Sequence, residues 1–277
     1  MRRRLLFLTM LVMSPSVMSA QADCFPGKES NEAKTFAILS VPIAFTGARA
    51  PVAKPRGVSF GVEVANLPSV DAATATPTIC RPGKGPENTD PIPVVVRPRL
   101  SAVVGGFLLE AAWIPPVRVS GVKANLVSLA LARPFALRGG WALGVRAEGV
   151  LGALHAPIVC DEEALADVTS ECAGGTLSDD RWSPGVFGVE AVVGMGKGKV
   201  RPHAGVGYTL LRPRFQVNFT NAQGETDRRK VEVDLERAAL FAGVTFPLGA
   251  LRVTAEGYGT VGDAVVGRLV MRAPLVR

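Results

Sequence analysis

Charged residues stand at alternate positions within several otherwise apolar stretches of the chain. The set comprises five glutamates and seven arginines: Glu63, Arg97, Arg99, Glu110, Arg146, Glu148, Glu190, Arg201, Arg252, Glu256, Arg268 and Arg272. Charges confined to one enclosed face must pair with each other or keep water. Rings of basic side chains also select anions in pores. The set therefore predicts either an Arg–Glu network that holds the structure together or a narrow, weakly anion-favouring passage.

Other residues with chemical potential are few and isolated. His155 with Ser183 or Asp180 resembles a hydrolase combination, but no nucleophile motif accompanies it. Residues 194–199 (GMGKGK) lack the Ser or Thr that follows the lysine of a phosphate loop, so this stretch is predicted to be a turn. With two histidines in all and no Cys/His cluster, zinc is not expected. We therefore predict no metal, no cofactor and no enzymatic activity.

The four cysteines form an even set, which in an oxidising compartment indicates disulfides. Cys160 and Cys172 flank a polar loop and are the natural local pair. Such a bridge stabilises a fold by about 3 kcal/mol in the chain-entropy model. Cys24 and Cys80 remain as the second pairing.

The N-terminus contains the three parts of a secretory signal peptide in order. Residues 1–4 are basic, residues 5–13 are apolar, and Ala20-Gln21-Ala22 fits the cleavage rule. The apolar run is too short for a spanning helix, which needs roughly 20 residues. We predict that residues 1–22 are a signal peptide. Its removal lowers the formal charge from +7 to +4, because three arginines leave, so the charge gives no reason to expect nucleic-acid binding.

Strand formation is predicted by a hydrophobic period of two, because successive side chains of a strand point to opposite faces. From Trp141, for example, Leu143, Val145 and Ala147 share one face. The polar face between them holds Arg146 and Glu148. The same reasoning predicts ten strands, at about 57–67, 96–105, 107–114, 124–134, 141–152, 185–195, 200–211, 231–246, 251–259 and 265–274. A slip of phase near Glu236-Arg237 predicts a β-bulge.

The predicted connections alternate in length. Short turns at 105–106, 135–140, 196–199 and 247–250 alternate with longer loops at 68–95, 115–123, 153–184 and 212–230, and only the connection at 260–264 breaks the trend. Short turns at one end and long loops at the other are typical of membrane β-barrels. With 48% hydrophobic residues, alternating strands that face lipid also provide a place for the apolar surface. An even strand count predicts that both termini lie at the short-turn end.

Residues 23–56 precede the barrel region 57–277 and differ from it. Asn31 to Val41 is predicted to form a short helix with Ser30 as its N-cap and Glu32 in its first turn. This helix would plug the lumen or lie on the membrane interface. A Cys24–Cys80 bridge would require the N-terminal segment to thread the lumen, which conflicts with termini at one end.

The chain resembles the small outer-membrane β-barrel proteins of Gram-negative bacteria over residues 57–274. It also resembles an uncharacterised group of barrels that share Pro98-Arg99-Leu100, Trp113-Ile114-Pro115-Pro116 and Leu211-Arg212-Pro213-Arg214-Phe215. The resemblance implies an all-β, antiparallel up-and-down transmembrane barrel located in the cell outer membrane. Expected partners are outer-membrane lipid, lipopolysaccharide and the barrel assembly machinery. No functional residue is carried over from this group.

One departure keeps alternatives open. Many such barrels end in an aromatic residue that the assembly machinery reads, whereas this chain ends in Ala273-Pro274-Leu275-Val276-Arg277. A soluble periplasmic β-protein that binds an apolar ligand is therefore one alternative. An outer-membrane lipid-modifying enzyme that uses His155 is another. The leading hypothesis is an integral barrel with a structural, binding or narrow-channel role.

Overall fold

The computed structural model describes residues 23–53, 56–89 and 92–276, so the predicted signal peptide lies outside the described residues. Ten long strands, β1 to β10, follow one another along the chain. Their bounds are Val58–Asn66 (β1), Val94–Val104 (β2), Phe107–Ile114 (β3), Val122–Ala136 (β4), Trp141–Ala156 (β5), Val186–Met195 (β6), Arg201–Leu211 (β7), Leu235–Leu248 (β8), Leu251–Thr260 (β9) and Val265–Val276 (β10).

The ten strands close into one antiparallel barrel. Each strand pairs with the next along the chain, and β1 pairs with β10 in a register that places Glu63 opposite Val270 and Val64 opposite Leu269. Closure leaves these strands without an unpaired edge. The ten-strand up-and-down barrel predicted from the period of two is confirmed.

Short turns join the strands at one end of the barrel, here called the short-turn end. Gly105 and Gly106 link β2 to β3 with φ values of 58° and 81°. Positive φ at both central residues is what a tight two-residue hairpin turn requires, and glycine adopts it without steric cost. A 3-10 turn, Arg138–Gly140, lies between β4 and β5. Longer connections gather at the opposite end, the loop end, together with the short turn 261–264 between β9 and β10.

At the loop end, short strands extend the sheet beyond the barrel. They are Arg118–Val119, Asp180–Ser183, Arg214–Gln216 and Lys230–Glu232, and a separate pair joins Phe219–Thr220 to Thr226–Asp227. Two short helices, α2 (Ala72–Ala75) and α3 (Glu162–Ala166), lie in the loops after β1 and β5. The long loops therefore carry structure of their own.

The predicted bulge near Glu236-Arg237 is wrong. The pairing of β8 with β7 runs unbroken from Leu235 opposite Leu211 to Thr245 opposite Arg201. The odd-numbered positions face inward on both sides of the predicted bulge, from Val231 and Val233 to Ala239 and Phe241. The slip of phase instead reflects a change in which face is apolar, from the inner face at the loop end to the outer face in the barrel, as at Leu240.

The outer face of the barrel is apolar. Leu129, Val189 and Leu240 are each more than half exposed. Aromatic side chains flank this surface: Trp113 and Tyr208 lie toward the loop end and are about half exposed, and Trp141 lies at the short-turn end of β5. Aromatic belts of this kind are typical of the two interfaces of a bilayer.

The inner face of β4 explains why its sequence is apolar on both sides. Val127, Leu129 and Leu131 point outward, whereas Ala130 and Ala132 are buried inside. Small inward side chains leave room for chain within the lumen. That space is filled by the N-terminal segment.

The N-terminal helix α1 (Asn31–Ser40) starts at Ser30, whose hydroxyl accepts a hydrogen bond from the N–H of Ala33 at 3.1 Å. It is enclosed at the loop end, where Phe36 packs against Phe215 with ring centroids 6.0 Å apart. Within the described residues, no helix is both long and apolar enough to cross a bilayer.

Candidate functional site

The N-terminal segment starts at the loop end of the barrel. Cys24 forms a parallel bridge with Val231, in which its N–H donates to the carbonyl of Lys230 at 2.8 Å and its carbonyl accepts from Glu232 at 2.9 Å. At the other end, the carbonyl of Gly57 accepts from Val103, close to the first hairpin turn. The chain therefore passes through the barrel before it enters β1.

Both predicted disulfides are present. Cys160 pairs with Cys172 inside one loop, and Cys24 pairs with Cys80 across a sequence separation of 56. The second bridge fixes the start of the N-terminal segment to the loop after β1. The prediction that both termini share one end is wrong for the first described residues, because the threaded segment places Cys24 at the loop end while β10 ends at the short-turn end.

Residues 41–50, here called the plug, cross the middle of the lumen. Ala44, Phe45 and Ala48 are each at most 2% exposed. Backbone carbonyls in such a place need donors, because an unpaired buried carbonyl costs about as much as a lost hydrogen bond. The sequence of the plug supplies few side-chain donors of its own. The barrel wall supplies them instead.

Five arginines of the wall donate to seven carbonyls of the plug. The contacts are Arg268 to Val41 (2.7 Å), Arg97 to Ile43 and Ala44 (both 2.8 Å), Arg146 to Phe45, Arg99 to Thr46 (2.6 Å), and Arg272 to Gly47 (2.8 Å) and Ala48 (2.9 Å). A guanidinium suits this role because its planar fork carries several donors. The arrangement holds nearly every peptide unit of the plug in a fixed position.

Phe45 lies at the centre of these contacts between the wall arginines and the plug. Its ring is fully buried, and the guanidinium carbons of Arg97, Arg99 and Arg146 lie 5.1, 4.3 and 5.0 Å from its centroid. Cations within about 6 Å of an aromatic face are attracted by its electron-rich surface. The side chain of Phe45 thus contacts three of the arginines that hold the plug.

Carboxylates compensate the charge of these arginines. Glu63 binds Arg97 at 2.5 Å and also pairs with Arg99. Arg146 meets three carboxylates, from Glu110 (3.3 Å), Glu148 (3.0 Å) and Glu190 (3.1 Å). Each of these side chains is nearly inaccessible to solvent. The Arg–Glu contacts therefore form a buried network across the lumen.

A second group of contacts surrounds Glu256. One of its oxygens accepts a hydrogen bond from the hydroxyl of Thr46 in the plug at 2.6 Å, and the other lies 3.0 Å from Nε2 of His203. Arg268 donates to the same threonine hydroxyl at 2.9 Å. Arg49 of the plug pairs with Glu110 at 3.3 Å. The plug is thus held through its side chains as well as its backbone.

Ten of the twelve charged residues singled out in the sequence are buried in the lumen: Glu63, Arg97, Arg99, Glu110, Arg146, Glu148, Glu190, Glu256, Arg268 and Arg272. Arg201 and Arg252 lie instead at the short-turn mouth, where Arg252 is exposed. The sequence did not identify Thr46, Arg49 and His203 as part of the lumen network. For Thr46 and Arg49, the available clue was the Cys24–Cys80 bridge, because it requires the N-terminal segment to pass through the lumen.

Ion pairs also close the loop end. Arg81 is buried and meets carboxylates from three loops: Glu87 at 2.8 Å, Glu171, and Asp227 at 3.9 Å. Burial raises the pKa of Glu87 to about 7, although the positive charge of Arg81 opposes this shift. The loops around both disulfides are therefore joined to each other above α1.

Glu32 links α1 to the loop that carries Cys80. Its carboxylate accepts hydrogen bonds from the N–H groups of Thr78, Ile79 and Cys80 at 3.0, 2.8 and 2.9 Å. Burial alone would raise the pKa of Glu32, but the hydrogen bonds from Cys80 and Ile79 outweigh it and hold the pKa below its usual value. The carboxylate therefore stays ionised and adds to the anchoring of the disulfide.

Among the described residues, the remaining candidates form no recognisable catalytic arrangement. Nδ1 of His155 lies 3.4 Å from Asp179, whereas Asp180 accepts backbone hydrogen bonds from Ile158, Val159 and Asn218. The stretch 194–199 forms the end of β6 and a turn, and no helix follows it. Across the described ranges, no group of three metal-ligating side chains is found.

No known protein family and no curated protein matches this chain. Among solved structures, it is similar to OmpTdeltaL8, a loop L8 deletion mutant of OmpT, described as an outer membrane protein of Vibrio cholerae. The two are 12% identical with a TM-score of 0.26, and the match covers 66% of this chain. The chain spans 55% of the length of that protein. At this level of similarity, the fold is defined by the strand pairing of the chain itself.

Proposed function

We propose that this chain is an integral β-barrel of the Gram-negative outer membrane that is kept closed by its own N-terminal segment. The distribution of polarity supports the membrane location. Large apolar side chains are exposed on the outer face of the strands, whereas the inner face holds buried ion pairs. Such an arrangement is stable where lipid surrounds the barrel.

The same distribution argues against a soluble β-protein with an apolar ligand inside. A barrel of that kind needs a polar outside and an apolar interior cavity. Here the interior contains the plug and the arginines that bind it, and a small apolar cavity of about 80 Å³ lies beside α1 at the loop end. We therefore favour the membrane barrel over the soluble alternative.

One observation carries the proposal that the barrel is closed: seven successive or near-successive carbonyls of the plug accept hydrogen bonds from five wall arginines. Charge-assisted hydrogen bonds are roughly twice as strong as neutral ones. The Cys24–Cys80 bridge adds a covalent anchor at the loop end. The proposed role is accordingly structural or binding, with the lumen shut at rest.

A narrow, porin-like channel is the second candidate, and the arginine surplus favours it. Seven arginines against five glutamates would make a passage weakly anion-favouring. Conduction would require the plug to leave the lumen, because Ala44 and Phe45 are buried within it. The channel hypothesis therefore predicts a gated pore whose closed state is the structure described above.

The orientation follows from the general architecture of such barrels. We propose that the short-turn end faces the periplasm and that the loop end faces outward, toward lipopolysaccharide. Asp161-Glu162-Glu163 and Asp179 belong to the loop end, where a solvated acidic surface is their simplest role, whereas the neighbouring Asp180 is buried and accepts backbone hydrogen bonds. Insertion by the barrel assembly machinery is part of the proposal, although β10 carries Ala273 and Pro274 near its end instead of an aromatic residue.

Fractionation of cells that produce the full chain tests the membrane location. We expect the protein in the outer-membrane fraction, extractable only with detergent, and we expect the unboiled protein to migrate faster on a gel than the boiled protein because a closed barrel stays compact. Recovery from the periplasm without detergent would contradict the proposal. A chain that is membrane-bound but not heat-modifiable would contradict the closed barrel.

The absence of enzymatic activity is a prediction that a direct assay can test. We expect the purified parent and a His155→Ala variant to release fatty acid from phospholipid or lipid A at the same background rate. The reason is that His155 pairs with the carboxylate of Asp179, and among the described residues it has no hydrogen bond to a serine, threonine or cysteine side chain. A His203→Ala variant controls for the loss of a histidine elsewhere in the barrel. Lipid hydrolysis by the parent that only His155→Ala abolishes would establish the enzyme alternative.

A further inference from the structure

A cavity of about 620 Å³ opens at the short-turn end beneath the plug. The plug residues Arg49 and Ala50 line the side next to the lumen, and the strand residues that line it come from β1, β2, β3, β7, β8, β9 and β10. Ser59 and Ser101, whose hydroxyls are 2.6 Å apart, contribute polar groups to the wall. The cavity is large enough for a small organic ligand.

Its charge is of one sign. Five arginines line the cavity, namely Arg49, Arg56, Arg201, Arg252 and Arg272, and no aspartate or glutamate is among the described residues that line it. The nearby Glu110 neutralises Arg49 at 3.3 Å. Both terminal nitrogens of Arg272 donate to the neutral carbonyls of Gly47 and Ala48, so these contacts leave its charge without a counter-charge.

The strand register adds an independent indication. Arg252 of β9 stands directly opposite Arg272 of β10, and both side chains reach the cavity. Like charges at directly opposed positions of an antiparallel pair are destabilising. An anion between them would convert this repulsion into attraction. The cross-strand Arg–Arg pair therefore indicates a site at which negative charge is bound.

The surroundings of the mouth agree with this. The four short turns contain Arg138, Lys197 and Lys199 and no acidic residue. A cleft with charge of one sign concentrates ligands of the opposite sign. Acidic side chains of the loops, in contrast, lie at the loop end.

We propose that this mouth cavity binds a small anion that carries two or more phosphate or carboxylate groups, held by Arg201, Arg252 and Arg272. Guanidinium groups bind such oxyanions through paired hydrogen bonds. The anion would be a soluble phosphate ester or the phosphate headgroup of a lipid at the barrel rim. The site shares Arg272 with the contacts that hold the plug, and its occupancy does not require the lumen to conduct.

Calorimetric titration of the folded, detergent-solubilised full chain with inorganic pyrophosphate tests the proposal. We expect saturable binding at one site, weakened about tenfold or more in Arg252→Gln because a charge-assisted hydrogen bond is lost. Arg252 is exposed, so its replacement should leave folding intact, and heat-modifiability verifies this. Arg138→Gln, an exposed arginine of a short turn at the same end, is the matched control and should bind like the parent.

Absence of binding, or equal affinity in the parent, Arg252→Gln and Arg138→Gln, would overturn the proposal, since general attraction to a basic surface would then account for the signal. The same titration in nanodiscs of neutral and of anionic lipid identifies the source of the anion. Weaker pyrophosphate binding in phosphatidylglycerol discs would assign the site to a lipid headgroup, and unchanged binding would assign it to a soluble anion. Binding is measured on folded protein in detergent, so failure here leaves the proposed membrane location untouched.

Discussion

Replacing Glu63 with alanine is expected to destabilise the folded barrel by about 3–5 kcal/mol, which is the usual cost of removing one partner from a buried ion pair. Glu63 is 1% exposed and binds two arginines at once. Its loss leaves Arg97 and Arg99 buried without this counter-charge. The cost is large because a buried charge that loses its partner cannot recover its hydration.

The Glu63→Ala substitution also affects the plug, because the same two arginines hold it. Arg97 holds the carbonyls of Ile43 and Ala44, and Arg99 holds that of Thr46. Once Glu63 is absent, water entering to solvate the two guanidiniums competes for the same donors. We therefore expect the unfolding midpoint to fall and the plug to loosen together.

Urea unfolding of the barrel in detergent micelles, followed by tryptophan fluorescence, measures the change in unfolding free energy. Glu163→Ala, an exposed glutamate in α3, is the matched control and should change stability by no more than about 0.5 kcal/mol. Glu63→Gln keeps an acceptor but removes the charge, so it should fall between the two. A loss below about 1 kcal/mol in Glu63→Ala would contradict a network in which this carboxylate compensates two buried arginines.

The positions of the strands could be predicted from the sequence because one physical constraint governs them: the outer face is apolar and the inner face is polar. In a barrel with lipid outside and charge inside, the period of two shows in each strand, as in Trp141–Ala156, where Arg146 and Glu148 alternate with Val145 and Ala147. Turn glycines such as Gly105 and Gly106 mark where a strand ends. Boundaries at the loop end were less exact, since the short loop strands follow the same alternation as the barrel strands.

The partners of the lumen arginines could not be derived in the same way. Periodicity shows that Arg97 and Arg268 face inward. It does not show that Arg97 binds the carbonyl of Ile43 or that Arg268 binds that of Val41. Backbone acceptors leave no mark in a sequence, and residues 41–50 look like an ordinary apolar connection. The one clue was covalent: a Cys24–Cys80 bridge is compatible with this barrel only if the segment threads it.

Deleting residues 24–53, with Cys80→Ser to remove the unpaired thiol, is expected to convert a non-conducting barrel into one that conducts ions. In planar bilayers, the parent should show no discrete current steps, because the plug fills the lumen between Val41 and Ala50. A packed chain occupies roughly 5 Å in its narrow direction. Its removal therefore leaves a path wider than a water molecule, which is about 2.8 Å across.

The current through the deletion variant should favour anions. Removal of the plug frees the five arginines that held its carbonyls, while the five lumen glutamates keep their places. Arg201 and Arg252 add positive charge at the mouth. A reversal potential in a salt gradient gives the permeability ratio, and we expect chloride to exceed potassium.

A variant with Cys24→Ser and Cys80→Ser, which keeps the plug, is the control for loss of the disulfide. It should remain silent or open only briefly, because the seven carbonyl contacts still hold residues 41–48 in the lumen. If the deletion variant is heat-modifiable yet equally silent, the Arg–Glu pairs themselves close the barrel, and the plug contributes to its stability alone. Discrete steps in the parent would instead show that the closed arrangement is not its resting state.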